Sequence, residues 1–287
     1  MSQTMLTIGL PVALAWMMFC VGLTLTVADF KRVSQFPGKV AAGLSAQLIG
    51  LPIIAYCLIQ LFNLPEVVAV GLWILALAPG GASSNAICHL CGGDSALSIT
   101  MTAISSLIIP FSLPLMLPFV LSDVSAIIPL KTAILQLIAV TLLPVLLGMA
   151  IKHYCSSAGF ERFAQFAGRT ALWALFFTVA ITLAANTKVF NQLFSVASIA
   201  VLLLCFLGMA LGVVVAKGLG GDTTLSKTLS IEVGIQNAGT AIFVAVVQLN
   251  QPQLALTPLL YGILMNIPAI ILIVMSRRNT CAARSTR

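Results

Sequence analysis

The chain has 287 residues, of which 60% are hydrophobic and only 7% charged, with a mean hydropathy of +1.12 and a formal net charge of +7. An ordinary soluble domain carries about 25% charged residues, so this composition excludes a soluble globular protein, a disordered chain and a nucleic-acid binder, and it indicates an all-α polytopic membrane protein. The apolar runs are also far longer than the roughly ten alternating residues of a transmembrane β-strand, which excludes a membrane barrel.

Nine apolar runs are long enough to span a bilayer, at about 6–27, 40–61, 67–91, 95–121, 129–151, 169–186, 193–216, 225–248 and 254–275. No Lys or Arg precedes the first run, so it is expected to be a retained helix and not a cleaved signal. Asp29-Phe-Lys31-Arg32 closes it. The second run carries Gln47. The third is interrupted by Pro79-Gly-Gly81, followed by Ser83, Ser84 and Asn85, residue types that start helices. The fourth holds Ser98 and Thr102 four apart on one helical face, and Pro110, Pro114 and Pro118 predict a bend. Lys152-His153 ends the fifth, and a polar connection over about 152–168 leads to the sixth. The eighth contains Glu232, and the ninth carries Asn266 before Arg277-Arg278.

With the N-terminus outside, twelve basic residues fall in cytoplasmic loops, and only Lys131 and Lys188 fall outside. This positive-inside asymmetry predicts N-out, C-in, in the cell membrane, and it accounts for the net charge without an acidic partner. The seven cysteines lie mostly within apolar runs and read as small buried residues. Cys88-His-Leu-Cys91 has the spacing of a metal pair but no second pair nearby.

Of the seven acids, Glu232 alone lies within a span. A carboxylate at mid-bilayer costs about 2.5–3.5 kcal/mol on insertion scales, so it marks an ion or proton site. Gly234, Gln236, Asn237 and Gly239 surround it and predict a break in the helix, tolerated at that depth only where the backbone lines an enclosed cavity. Two such interrupted spans, one in each half of the chain and antiparallel, point to an inverted-repeat transporter with its binding site between them. The hydroxyls, amides and carboxylate of Gln47, Ser98, Thr102 and Glu232 form a hard oxygen set suited to an alkali cation. No phosphate-binding Gly-x-x-x-x-Gly-Lys-Ser/Thr occurs, so transport must draw on an ion gradient. The residues leave open a sodium-coupled transporter of an organic anion, a proton-coupled carrier or exporter on the same fold, and more remotely a channel or an intramembrane enzyme.

The strings Gly22-Leu-Thr-Leu25 with Asp29-Phe30, Pro79-Gly-Gly-Ala-Ser-Ser-Asn85, Ala96-Leu-Ser-Ile-Thr-Met-Thr102 and Leu229-Ser-Ile-Glu-Val-Gly-Ile-Gln-Asn237 resemble those of the bile acid:sodium symporter family, over nearly the whole chain. The resemblance implies a core (about 40–121 and 193–275) and a panel (about 1–30 and 129–187), with two discontinuous helices crossing in the core. It implies one sodium site at Ser84, Asn85, Ser98, Thr102 and Glu232. A second would use Gln47, Glu232, Gln236 and the carbonyls of Val233 and Ile235, with substrate contacts at Asn237 and Asn266. It implies no catalysis and no cofactor beyond sodium as coupling ion, with a small organic anion as the other partner. The chain departs from many relatives in having nine spans where they have ten. It also has Ala82 where some carry Thr, and Met265 where some carry His.

Overall fold

The structure, a computed structural model, describes residues 8–119, 129–155, 157–185 and 195–285. Helices account for nearly all of them. In chain order they are α1 (Leu10–Thr24), α2 (Val27–Gln35), α3 (Pro37–Leu61), α4 (Glu66–Ala76), α5 (Ala82–Leu90), α6 (Ser95–Phe119), α7 (Leu130–Tyr154), α8 (Ala158–Ala185), α9 (Val196–Gly218), α10 (Thr223–Gly234), α11 (Ala238–Gln248) and α12 (Pro252–Ser276). Among the described residues, α3, α6, α7, α9 and α12 are each long and apolar enough to cross a membrane, while α1, α4 and α11 are shorter apolar helices. The third and eighth expected spans are the interrupted pairs α4–α5 and α10–α11.

Burial follows membrane logic. Ile53, Phe111, Leu135, Phe206, Val214 and Ile270 are exposed on long helices, whereas Gln47, Ser84, Ser98, Thr102, Glu232 and Gln236 are wholly buried. Surface apolar side chains on the long helices and interior polar ones suit a protein whose solvent is lipid and whose working site is internal.

Without a hydrophobic force between helices in lipid, close approach depends on small residues. A β-carbon placed on Gly22 would lie 2.2 Å from the Val145 carbonyl oxygen, and one on Gly148 would lie 2.4 Å from that of Phe19, so α1 and α7 cross backbone to backbone. Gly212 performs the same service between α9 and α10, 2.3 Å from the Leu229 oxygen by the same measure. Helix α1 packs on α7 and α8. Helix α9 packs on α10, α3 and α12, and α10 packs further on α5 and α6.

Two expectations are corrected. The connection expected at about 152–168 is mostly helix, because α8 begins at Ala158, directly after the short junction that follows Tyr154. The half-helix after the first break starts at Ala82 with Gly81 as its cap residue, so Ser84 lies inside the first turn and returns its hydroxyl to the Gly81 oxygen at 2.7 Å. Asp29 accepts from the Thr26 amide and hydroxyl, both at 2.7 Å, at the start of α2. Pro110 and Pro114 do lie inside α6.

Candidate functional site

Acids elsewhere have structural work at helix starts. Asp94 caps α6 by accepting from the Ala96 and Leu97 amides, and Asp222 caps α10 by accepting from Leu225. Asp29, Glu66 and Glu161 lie in the first turns of α2, α4 and α8, where the positive end of the helix dipole favours them. Asp123 lies outside the described residues. Glu232, in the last turn of α10, has no such role.

The Glu232 carboxylate accepts from the Ser98 hydroxyl at 2.5 Å through Oε1 and from the Thr102 hydroxyl at 2.9 Å through Oε2. Helix geometry places these hydroxyls together, since residues four apart on α6 share a face. Asn85 Oδ1, one turn into α5, faces the same hydroxyls at 2.8 and 3.3 Å. Ser84 lies beside the carboxylate from the same half-helix. Gly81 O already accepts from both the amide and the hydroxyl of Ser84, so two hydroxyl hydrogens, those of Ser98 and Thr102, meet three acceptors: Asn85 Oδ1 and both oxygens of Glu232. This buried cluster is one positive partner short, and unpartnered acceptors there are costly.

The two breaks meet at this cluster. Gly80 and Gln236 pair as an isolated antiparallel bridge, and the Asn237 amide donates to the Pro79 oxygen at 2.9 Å. Extended backbone from one interrupted helix thus satisfies extended backbone from the other, which is how non-helical chain survives away from water. Gly80 leaves a space beside the carboxylate. A β-carbon there would lie 3.0 Å from both Glu232 Oε2 and Thr102 Oγ1, and 3.6 Å from Gln47 Nε2.

On the other side of Glu232, Gln47 lies in a single π-type turn of α3, Ala46–Gly50, a local change of winding that often occurs at functional positions. Its Nε2 donates to Gln236 Oε1 at 3.0 Å, and Gln236 Nε2 donates to the Val233 and Glu232 carbonyls at 2.8 and 3.3 Å. Gln47 Oε1 is buried and has no hydrogen-bond partner. A hard cation suits both halves of the site, because every available donor atom is a hydroxyl, amide, carbonyl or carboxylate oxygen.

The resemblance grouped Ser84, Asn85, Ser98, Thr102 and Glu232, and the fold brings these together. It also brings Gln47, Gln236 and the Val233 carbonyl to the far side of Glu232, with Ile235 in the break itself. Asn237 stands at the head of α11, where its Oδ1 accepts from the Thr240 amide at 3.1 Å. Asn266 differs: it is exposed on α12 and its amide returns to the Gly262 and Ile263 carbonyls of its own helix, both at 3.0 Å. Cys88 is buried beside Thr228 at 3.8 Å, and Cys91 is buried as well, as small residues in a packed helix end.

Sequence reasoning missed Tyr261 and Cys205. The Tyr261 hydroxyl, fully buried on α12, donates to the Gly234 carbonyl and accepts from the Gln236 amide at 3.0 Å. Cys205 on α9 donates to the same carbonyl at 3.2 Å. A lone Tyr in an apolar run gives no sign of its partners; the orphaned backbone of the break was the only available signal.

Residues 11–193 match the family model described as the Sodium Bile acid symporter family. The chain is 31% identical over 229 residues to the uncharacterized sodium-dependent transporter YocS of Bacillus subtilis (strain 168), covering 77% of this chain and 68% of that one. It is 30% identical over 246 residues to the probable sodium/metabolite cotransporter BASS1, chloroplastic, of Oryza sativa subsp. japonica, covering 84% of this chain and 59% of that one. It is 28% identical over 278 residues to sodium/bile acid cotransporter 4 of Homo sapiens, covering 92% of this chain and 62% of that one. The match thus spans less than two thirds of the rice and human relatives.

Proposed function

The chain belongs to the sodium bile acid symporter family, and from that premise we propose that it is a sodium-coupled secondary transporter of an organic anion, working by alternating access. The observation that carries this reading is the shortage of positive partners around the buried Glu232, where two hydroxyl hydrogens face three acceptors and Gln47 Oε1 stands unpartnered. One sodium ion would bind among Ser84, Asn85, Ser98, Thr102 and Glu232. A second would bind among Gln47, Gln236, Glu232 and the carbonyls of Val233 and Ile235. Two bound cations against one carboxylate leave a single positive charge at the crossing of the breaks. That charge, with the N-terminal ends of α5 and α11, would draw an anion toward Asn237, and Asn266 would meet it from α12.

The same reading assigns α3–α6 and α9–α12 to a core, and α1, α7 and α8 to a panel against which the core moves. The backbone-to-backbone crossing of α1 with α7, and of α9 with α10, supports two internally rigid groups. The asymmetry of basic residues supports an N-terminus outside and a C-terminus in the cytoplasm of a cell membrane.

The test is uptake of organic anions into proteoliposomes with and without a sodium gradient at fixed pH. Wild-type uptake should need sodium, and Glu232→Gln, close to isosteric, should insert normally and lose at least tenfold in sodium-driven uptake. Uptake driven by a proton gradient alone would replace sodium by a proton as the missing positive partner. Full sodium-driven uptake in Glu232→Gln would remove Glu232 from coupling.

A further inference from the structure

The break between α10 and α11 leaves two backbone groups that an uninterrupted helix would have paired, the Gly234 carbonyl and the Gln236 amide. One side-chain oxygen serves both: the Tyr261 hydroxyl donates to the Gly234 carbonyl and accepts from the Gln236 amide at 3.0 Å. It bridges the gap as an ordered water would, but it is carried on α12 and wholly buried. The consequence runs outward through Gln236. Its side-chain Nε2 is held on the Val233 carbonyl at 2.8 Å, and its Oε1 receives Gln47 Nε2 at 3.0 Å. That bond turns the unpartnered Gln47 Oε1 to its place in the buried interior. Cys205 shares the Gly234 carbonyl but does not touch the Gln236 amide.

We propose that the Tyr261 hydroxyl is a positioning residue for the coupling-ion site formed by Gln47, Gln236 and the carbonyls beside Glu232. By fixing the backbone of Gln236, it sets how tightly that site holds its cation. The inference rests on the sodium-coupled reading above and adds to it a residue outside the ligand set. An oxygen ligand held in place binds without first being ordered, so loosening it weakens binding while leaving the ligand atoms present. Losing the one side-chain oxygen that serves both backbone groups should change half-saturation roughly tenfold, about 1.4 kcal/mol.

Purified full-length protein provides the test, with sodium itself as the probe. Sodium-dependent thermal stabilisation and sodium-driven uptake would be titrated for wild type, Tyr261→Phe, Tyr261→Met, Cys205→Ala and Glu232→Gln. Tyr261→Phe should raise the sodium half-saturation concentration roughly tenfold and lower the Hill slope, while uptake at saturating sodium stays within about twofold of wild type. Cys205→Ala, which leaves the Gln236 amide held, should shift half-saturation by less than twofold. A wild-type half-saturation in Tyr261→Phe or Tyr261→Met overturns the proposal, as does a loss of maximal uptake with unchanged half-saturation, which marks a purely structural role. Failure of both Tyr261 variants to insert overturns it too, by making Tyr261 a folding residue. A Glu232→Gln protein that retains the full sodium response is a different failure, that of the sodium reading itself.

Discussion

At the residue scale, the site depends on what is missing as much as on what is present. Gly80 has no positive φ to require a glycine, yet a β-carbon on it would lie 3.0 Å from the Glu232 carboxylate and 3.0 Å from the Thr102 hydroxyl. The methyl of Gly80→Ala would therefore occupy the space that a cation would enter, without straining the backbone. Sodium half-saturation should rise at least tenfold in this variant. The apo protein should melt within a few degrees of wild type, as a sodium titration of thermal stability would show. A loss of several tens of degrees in the apo protein would mean instead that Gly80 serves packing. Asn85 and Ser84 entered the expected site only through the family resemblance, since by residue type alone they read as the start of a half-helix. Tyr261 was not legible, because its role exists only relative to a break 25 residues away.

At the element scale, glycine placement decides how closely the helices approach. Gly22 and Gly148 on facing helices each admit the other's backbone, with a β-carbon at 2.2 or 2.4 Å from a carbonyl oxygen. A backbone cannot yield as a flexible side chain can, so Gly22→Leu must separate α1 from α7. Overpacking costs typically 1–3 kcal/mol, and a backbone clash lies at the upper end of that range. The expected result is a clear drop in melting temperature in detergent, whereas Gly38→Ala, with nothing within 4 Å of its β-carbon, should melt as wild type. Equal melting of the two variants would show that α1 and α7 do not cross so closely. Helix ends follow the same economy: Lys152 donates to the Thr24 carbonyl at 2.8 Å, and Lys227 donates to the Cys91 carbonyl at 2.9 Å. Each places a positive charge on the negative end of a helix dipole.

At the scale of the whole molecule, these two lysines fall on the face that the basic residues assign to the cytoplasm. Thr24 ends the first span and Cys91 ends the third, and an alternating topology puts both ends on one side. On the topology proposed above, the twelve-to-two distribution of basic residues would make that side the inside. A reporter active only in the cytoplasm, fused after Arg287, should be active, and one active only in the periplasm or exterior should be silent. The opposite pair of results would invert the topology and with it the direction from which sodium enters.

The sequence by itself determined that the chain is an all-α polytopic membrane protein, and it singled out Glu232 as the one acid within an apolar run. Hydropathy runs report lipid exposure directly, and a lone carboxylate within a span has few reasons to persist there. The two breaks were also readable, since Pro79-Gly-Gly81 and the Gly-rich run around Gln236 weaken a helix wherever they occur. Tertiary structure alone decided that the breaks pair through Gly80 and Gln236, that Gln47 lies buried in a π-type turn of α3, and that Asn266 is exposed on α12 with its amide returned to its own helix. It also made the expected 152–168 connection helical, because that polar stretch continues into the apolar part of α8. Local composition sets where a helix weakens. Which distant hydroxyl, amide or carbonyl then satisfies the freed backbone depends on the relative placement of helices far apart in the chain, and no short-range pattern encodes that placement.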